Sequence, residues 1–472
     1  MIKAGIWNVS GFLLERASRI IIITIIAKVF SAEEFGAYGL AFALFYAVSG
    51  VVGLSCHSIL IRFYGWNNDN TAIFFDLIMY SLLSGAVSFL IYHQIGMSYA
   101  EKIFSQKTAG LFGLFMVNIS FFNSVQLMAA YFRANNQYFM DTVVRFILPS
   151  LGLVISLIIT VAYKLQIELF VLFWTFTYSL VFVIGIYRII SRRPNEFFSF
   201  IGLMRRKKLS LKIQHIRYGS IITLIGLVAI VTSEIERVLS GMFLNDAELG
   251  TISLALFIGT IPNIMMASLN PLMGRIISEH KEQLNIIYKS YVEIMSIIGG
   301  LLITIIALSS NSIIGYFGES YNIIGSTLIV IILISSLVNI FTGPCGVYLQ
   351  FLGKEGKDLK VSWLLMLIAI VISYAMIKQY QLIGAAIAYV ANTSLMNMTR
   401  WILVRRYYNI KLTGFTIFAC SLSLVAIIIK LKHMDNAIYL LPVITGVLII
   451  TSLAWWKSRG RHMTCAIRNI HG

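Results

Sequence analysis

The residues of this chain best suited to chemistry are charges placed where charge is costly. Glu15, Arg16 and Arg19 interrupt one long apolar segment, and Glu234, Glu236 and Arg237 interrupt another about half a chain further on. A charge near the centre of a bilayer costs about 3 kcal/mol on insertion scales, so such residues usually face a cavity or a partner. On a helix, Arg16 and Arg19 are three apart and Glu15 and Arg19 four apart, which puts all three on neighbouring parts of one face. Two outcomes are open. Glu15 neutralises Arg19 and leaves Arg16 in excess, or both arginines face an anionic group through charge-assisted, often bidentate hydrogen bonds that lysine matches less well. In the later segment Glu234 and Arg237 are spaced to pair, while Glu236 points elsewhere. A desolvated carboxylate can take up a proton, which makes Glu15, Glu234 and Glu236 candidates for coupling to an ion gradient. An ion pair with a neighbouring helix is the alternative for Glu236.

The elements that must position these charges are apolar helices. The chain is 58% hydrophobic and 12% charged, with a mean hydropathy of +0.84, against about 25% charged residues in a soluble domain. Crossing a hydrocarbon core takes roughly 20 apolar residues as a helix. About 14 such spans are read, at 5–30, 37–61, 71–92, 109–131, 143–162, 167–190, 218–243, 251–273, 287–308, 322–343, 361–377, 382–403, 413–430 and 438–456. Lipid offers no partner for unpaired backbone groups, and the segments are too long for barrel strands, so the fold class is an all-α polytopic membrane protein.

The first of these helices begins a pattern that occurs twice. Charges in an apolar span lead to an acidic turn, Glu33-Glu34-Phe35-Gly36 or Ala247-Glu248-Leu249-Gly250, and a further span ends near Arg62 or Arg275. An even number of spans separates the copies, so they enter the membrane in the same direction as parallel repeats. Such repeats are related by an axis along the membrane normal, with substrate at their interface. The expected organisation is a six-helix half at 1–190, a basic cytoplasmic linker at 191–217, a second six-helix half at 218–403, and a helix pair with a basic tail at 404–472.

Loop charge predicts cytoplasmic termini. With the N-terminus inside, the inward loops include Arg188 to Arg217, Lys354-Lys357-Lys360, Arg405-Arg406-Lys411 and the tail from Lys457 to Arg468, which is the positive-inside bias. Every tryptophan except Trp174 falls at a predicted cytoplasmic span end, where an amphipathic ring prefers to sit. The net charge of +17 is therefore spent beside anionic headgroups, and nucleic acid is not an expected partner. The linker mixes Phe197, Phe198, Phe200, Ile201 and Met204 with Arg205-Arg206-Lys207-Lys208, which predicts an amphipathic helix on the inner surface or a plain basic loop. No small-x-small pattern follows Ala27, so the first segment reads as a retained helix. Asp76, Arg145 and Glu293 are placed near inner span ends, within reach of water. Gly259-Thr260-Ile261-Pro262 is a predicted break in its span. His57 is expected to hydrogen-bond locally, and the four cysteines suggest neither disulfide nor metal site. No Walker-type GxxxxGK[ST] sequence is present.

Against this background a resemblance becomes specific. Ala27-Lys28-Val29-Phe30-Ser31-Ala32-Glu33-Glu34-Phe35-Gly36-Ala37-Tyr38 resembles the turn after the first helix of polysaccharide-export flippases, and Gly53-Leu54 and Ile61-Arg62 resemble the end of that family's second helix. Glu236-Arg237-Val238-Leu239-Ser240-Gly241-Met242-Phe243 through Gly250 is similar to its second copy, departing at Glu236 for the usual acid and at Ile252 for a tyrosine. The resemblance is to the O-antigen (Wzx-type) flippases of the multidrug/oligosaccharidyl-lipid/polysaccharide (MOP) exporter superfamily. It implies a MATE-like fold in the bacterial inner membrane and movement of an undecaprenyl-pyrophosphate-linked oligosaccharide to the periplasmic leaflet by alternating access, for O-antigen or other surface polysaccharide. It implies that Arg16, Arg19 and Arg237 lie on helices lining a cationic cavity, that a polysaccharide polymerase and chain-length machinery are possible partners beside membrane lipids, and that the chain is not an enzyme and needs no cofactor. Two alternatives stand. An ion-coupled multidrug antiporter of the same superfamily would want acids in the cavity, and a polysaccharide polymerase would want a longer outward loop than His93 to Thr108.

Overall fold

The computed structural model describes residues 2–63, 70–192, 211–321 and 324–432, all of it helix and short connections. The linker segment 193–210, with its expected surface helix, and the expected last span at 438–456 with the tail lie outside the described residues. Two compact units are present, Met1–Gly250 and Thr251–Gly472.

The first unit is built around α6 (Gln106–Ala134). Ser105 starts it by accepting the Thr108 N–H on its side chain at 3.1 Å, satisfying one of the donors that a helix start leaves open. Packed against α6 are α2 (Ala32–Val52), α3 (Cys56–Phe63), α4 (Asn70–Ile91) and α9 (Ile167–Arg192). A π-helical turn at Tyr92–Gly96 joins α4 to α5 (Met97–Ile103), and a second at Val143–Ile147 joins α7 (Tyr138–Thr142) to α8 (Leu148–Ala162). Against α8 and this second turn lies α1 (Ile2–Val29), and α10 (Ile213–Phe243) packs on α2 and α3.

The twice-occurring turn takes the same local structure in both copies. Ser31 and Glu34 exchange a reciprocal pair, Glu34 N–H to Ser31 Oγ at 3.2 Å and Ser31 N–H to Glu34 Oε2 at 3.1 Å. Asn245 and Glu248 do the same at 2.9 and 3.1 Å, which is a capping box at the start of α2 and of α11 (Asp246–Gly259). Glycine is required where these starts meet. A Cβ at Gly36 would lie 2.1 Å from the Asp246 carbonyl, and one at Gly250 would lie 2.0 Å from the Ala32 carbonyl. Each repeat's glycine thus admits the other repeat's helix start.

In the second unit, α13 (Leu284–Phe317) packs on α14 (Ile324–Thr342) and α17 (Gly414–Leu431), with α12 (Ile261–Glu279) and α15 (Cys345–Phe351) beside them. The expected proline break is present: α11 and α12 are bent by 48° about Thr260. The segment Glu355–Tyr408, α16, runs 54 residues but reverses at Gln381, whose φ of 50° and ψ of −125° are not helical. Its two arms pack on each other, as Gly384 lies against the Met376 carbonyl and Asn392 Nδ2 donates to Ser373 Oγ at 2.8 Å. At the open end, Arg400 Nε donates to Asp358 Oδ1 at 2.7 Å. The reversal separates the two expected spans at 361–377 and 382–403.

Ten helices among the described residues are long and apolar enough to cross a membrane, or eleven with the bent pair as one span. The wider sequence reading adds α1, which its charges exclude from that measure, counts α16 as two crossings and includes the span beyond the described residues. The architecture is the all-α polytopic fold expected.

Candidate functional site

A cavity of about 440 Å³ opens within the first unit, and every residue lining it belongs to that unit. Its charge comes from four side chains, Glu15, Arg16 and Arg19 of α1 and Arg145 of the π-helical turn before α8. Three guanidiniums face one carboxylate.

Two features of the backbone bring these groups together. A π-helical turn closes its hydrogen bonds from i to i+5, one residue wider than an α-helix, and so shifts the register of the side chains it carries. At Val143–Ile147 this turn sets Arg145 on the cavity wall, its guanidinium 4.9 Å from the Phe146 ring. Gly11 lets α1 approach the same turn, since a Cβ there would lie 2.6 Å from Phe146 and Thr142. The second feature is a break in the span Ala32–Phe63. Between α2 and α3 the chain unwinds through Gly53, with Leu54 and Ser55 at φ of 43° and 46°. That left-handed conformation costs an L-residue about 1 kcal/mol or more, and it persists where the surroundings over-determine it. Here Asn123 Nδ2 donates to the Ser49 carbonyl at 3.2 Å, and the Ser55 hydroxyl is 3.1 Å from that of Thr223 on α10. Ser49, Gly53, Ser55 and His57 all line the cavity. Broken helices at membrane depth are tolerated where they line a cavity, and transporters build sites from them.

The remaining wall is aromatic, with Phe42, Tyr46, Phe122, Trp174 and Tyr178 among its members. Trp174, the tryptophan that the sequence places away from a span end, stacks on Phe42 at 5.0 Å between ring centroids. Arg19 lies over Phe42 at 5.0 Å and over Tyr46 at 5.4 Å. Among the described residues neither Arg19 nor Arg145 makes a hydrogen bond or an ion pair, and Glu15 makes none with Arg19. Arg133, near Arg145 in sequence, is instead engaged by Asp141 at 2.8 Å.

The six candidate residues therefore separate into two groups. Glu15, Arg16 and Arg19 are together on the cavity wall, whereas Glu234, Glu236 and Arg237 do not line it. Arg237 Nη1 donates to Glu234 Oε2 at 2.5 Å, and Glu236 is buried in the packing of α10. From that helix the cavity takes Thr223, Gly226 and Ile230, about one to three turns before the charges. Sequence reasoning placed Arg145 at a span end, and no signal short of recognising the π-helical turn would have turned it inward. The glycine and hydroxyl cluster Gly50, Gly53 and Ser55 is a usable sign of the break between α2 and α3.

No protein-family model and no curated protein sequence matches the chain. In structure it is similar to the lipid II flippase MurJ in an inward closed conformation, with a TM-score of 0.69 and 14% identity over 98% of this chain and 100% of that one. An inward-facing MATE-family multidrug resistance transporter of the MOP superfamily gives a TM-score of 0.66 at 11% identity, over 85% and 97% of the two chains. A MOP superfamily transporter from Pyrococcus furiosus, described as having a binding pocket of reverse polarity, gives 0.61 at 13% identity over 86% and 95%. These likenesses establish the fold, that of MurJ and the MATE transporters. They do not single out the polysaccharide flippases within it, and multidrug transporters are the more numerous among these structures.

Proposed function

We propose that the chain is an alternating-access transporter of the bacterial inner membrane whose cargo is an anionic lipid-linked saccharide, of the undecaprenyl-pyrophosphate-linked oligosaccharide class. A pyrophosphate joined to a sugar chain cannot cross lipid unaided, while its polyprenyl tail need not leave it, so the protein has only a headgroup to shield. Supporting this cargo is the polarity of the cavity, where Arg16, Arg19 and Arg145 outnumber Glu15. A guanidinium fork matches phosphate oxygens bidentately, and in a partly desolvated cavity that match is stronger than in water. The absence of a Walker sequence leaves an ion gradient, the cargo gradient or downstream consumption as the energy source. In this reading Arg16 and Arg19 bind cargo, Arg145 joins them, Glu15 is the ion-coupling candidate nearest the cargo, and the Glu234–Arg237 pair is structural in the conformation described. A polymerase and chain-length machinery would take up the delivered unit.

A second reading, an ion-coupled multidrug antiporter, has the larger number of structural neighbours behind it. A cationic drug, however, would meet repulsion in a cavity where arginines outnumber acids.

Cells lacking the protein test the choice. Carrier-linked saccharide is expected to build up on the cytoplasmic face, cleared by wild type and not by Arg16→Ala or Arg19→Ala variants that insert normally. Altered drug sensitivity with no such intermediate would replace this reading with the antiporter.

A further inference from the structure

We propose that Phe42 and Tyr46 are positioning residues for Arg19, gripping its guanidinium by the faces so that its N–H edges remain available to a diphosphate in the cavity. This rests on the anionic-cargo reading above.

The two rings are four residues apart on α2 and so share one helix face, which α1 meets at Arg19. The distances, 5.0 and 5.4 Å from the guanidinium carbon to the ring centroids, fall inside the roughly 6 Å range of cation–π attraction. Neither ring is free to drift. Phe42 is stacked on Trp174 and meets Phe115 edge-on at 5.9 Å, while Tyr46 meets Phe122 at 5.6 Å. Trp174 thereby acquires a reason for standing in mid-span, as the backing of the ring that holds the arginine.

An arginine inside a membrane protein has to be held by something, and what holds it decides what it can do. A carboxylate occupies N–H donors and cancels the charge, as Glu234 does for Arg237. An aromatic face attracts the cation through its quadrupole, more strongly when desolvated, and occupies no donor. Arg19 has no hydrogen bond or ion pair among the described residues, so its planar fork keeps its donors. That arrangement suits a ligand presenting two phosphate oxygens in one plane.

The test is a double-mutant cycle on the purified full chain in lipid nanodiscs, with farnesyl pyrophosphate as the probe and binding read by calorimetry. Tyr46→Leu is expected to weaken binding about three- to tenfold. Tyr46→Phe, which keeps the ring, is expected to stay within about twofold. In an Arg19→Ala background Tyr46→Leu should change nothing further, because a residue acting only through Arg19 has nothing left to act on. A parallel cycle with Phe42→Leu gives the same answer by a second route if Tyr46→Leu does not fold. Losses that add in both cycles, or a Tyr46→Phe variant as weak as Tyr46→Leu, overturn the positioning role while leaving the anionic cargo in place. Wild type that ignores farnesyl pyrophosphate and binds tetraphenylphosphonium instead overturns both.

Discussion

Two helices of the first unit carry nearly the same charged text and use it in opposite ways. On α1, Glu15 and Arg19 are four apart and do not pair, and the cation lies against Phe42 and Tyr46 on the wall of a cavity. On α10, Glu234 and Arg237 are three apart, pair at 2.5 Å, and do not line that cavity. Within a helix the two spacings are about equally good for an ion pair, so spacing does not separate them. Surroundings do. Around Arg19 the neighbouring helix presents aromatic faces and open space, while α10 offers Arg237 a carboxylate one turn back. A repeated sequence pattern therefore transmits a helix and its capping turn faithfully and leaves the fate of its charges to whatever packs alongside.

The contrast is broken most severely by reversing the cavity charge. Arg19→Glu places a carboxylate beside Glu15 where an anion is to bind, and like charges in such a site cost several kcal/mol. Complementation of a strain lacking the protein, scored as cleared carrier-linked saccharide per unit of inserted protein, is expected to fall by about 100-fold, which corresponds to about 2.7 kcal/mol. Unchanged clearance would put the cargo somewhere other than this cavity.

Next in size is the structural pair. Removing the Glu234 carboxylate with Glu234→Ala strands Arg237 in the packing of α10, where the pair's side chains are 27% and 19% exposed. Loss of one partner of a buried pair costs about 3 kcal/mol or more, and the residual exposure lowers the expectation to about 2 kcal/mol. Thermal unfolding in detergent should show it, with the joint Glu234→Leu, Arg237→Leu replacement recovering most of the loss. A melting temperature that does not move on Glu234→Ala would mean that Arg237 finds another partner, and the comparison with α1 would lose its second half.

How far the sequence reaches is set by the range over which each feature is encoded. The capping boxes at Ser31 and Asn245, the proline break before α12 and the reversal between the arms of α16 are local, written in a few adjacent residues, and all are readable from the chain alone. Membrane depth and charge scarcity likewise point to α1 as a wall helix. The rest is relational. Nothing adjacent to Arg19 announces that Phe42 and Tyr46 will receive it, because the contact depends on how α1 lies on α2. Arg145 sits in a helix that periodicity places at 3.6 residues per turn, and the single π-helical turn at Val143–Ile147 rotates it out of that register. Leu54 and Ser55 adopt left-handed backbone without being residues that favour it, so the break is hinted at only by the nearby glycine and hydroxyl cluster.

Because Arg145 arrives from outside either copy of the pattern, it shows whether the cavity's affinity belongs to α1 alone. Arg145→Ala is expected to weaken farnesyl pyrophosphate binding about tenfold, the effect of one charge-assisted contact of about 1.5 kcal/mol, without disturbing the fold, as its guanidinium has no hydrogen bond or ion pair to lose among the described residues. Binding equal to wild type would confine the site to Arg16 and Arg19.

The smallest effect discriminates best between the two helices. Among the described residues Glu15 forms no ion pair with Arg19, so Glu15→Gln is expected to keep stability within about 0.5 kcal/mol. Anion affinity should rise about two- to threefold, since the one negative charge on the wall no longer opposes the ligand across a partly screened gap. Glu234→Gln is the matched control. It is equally conservative in shape, yet it discharges a carboxylate that holds Arg237, so it should lower the melting temperature and leave the affinity alone. If Glu15→Gln and Glu234→Gln behave alike, both losing stability or both gaining affinity, then the carboxylates of α1 and α10 do the same work, and the division between a cargo-facing and a self-neutralised copy fails.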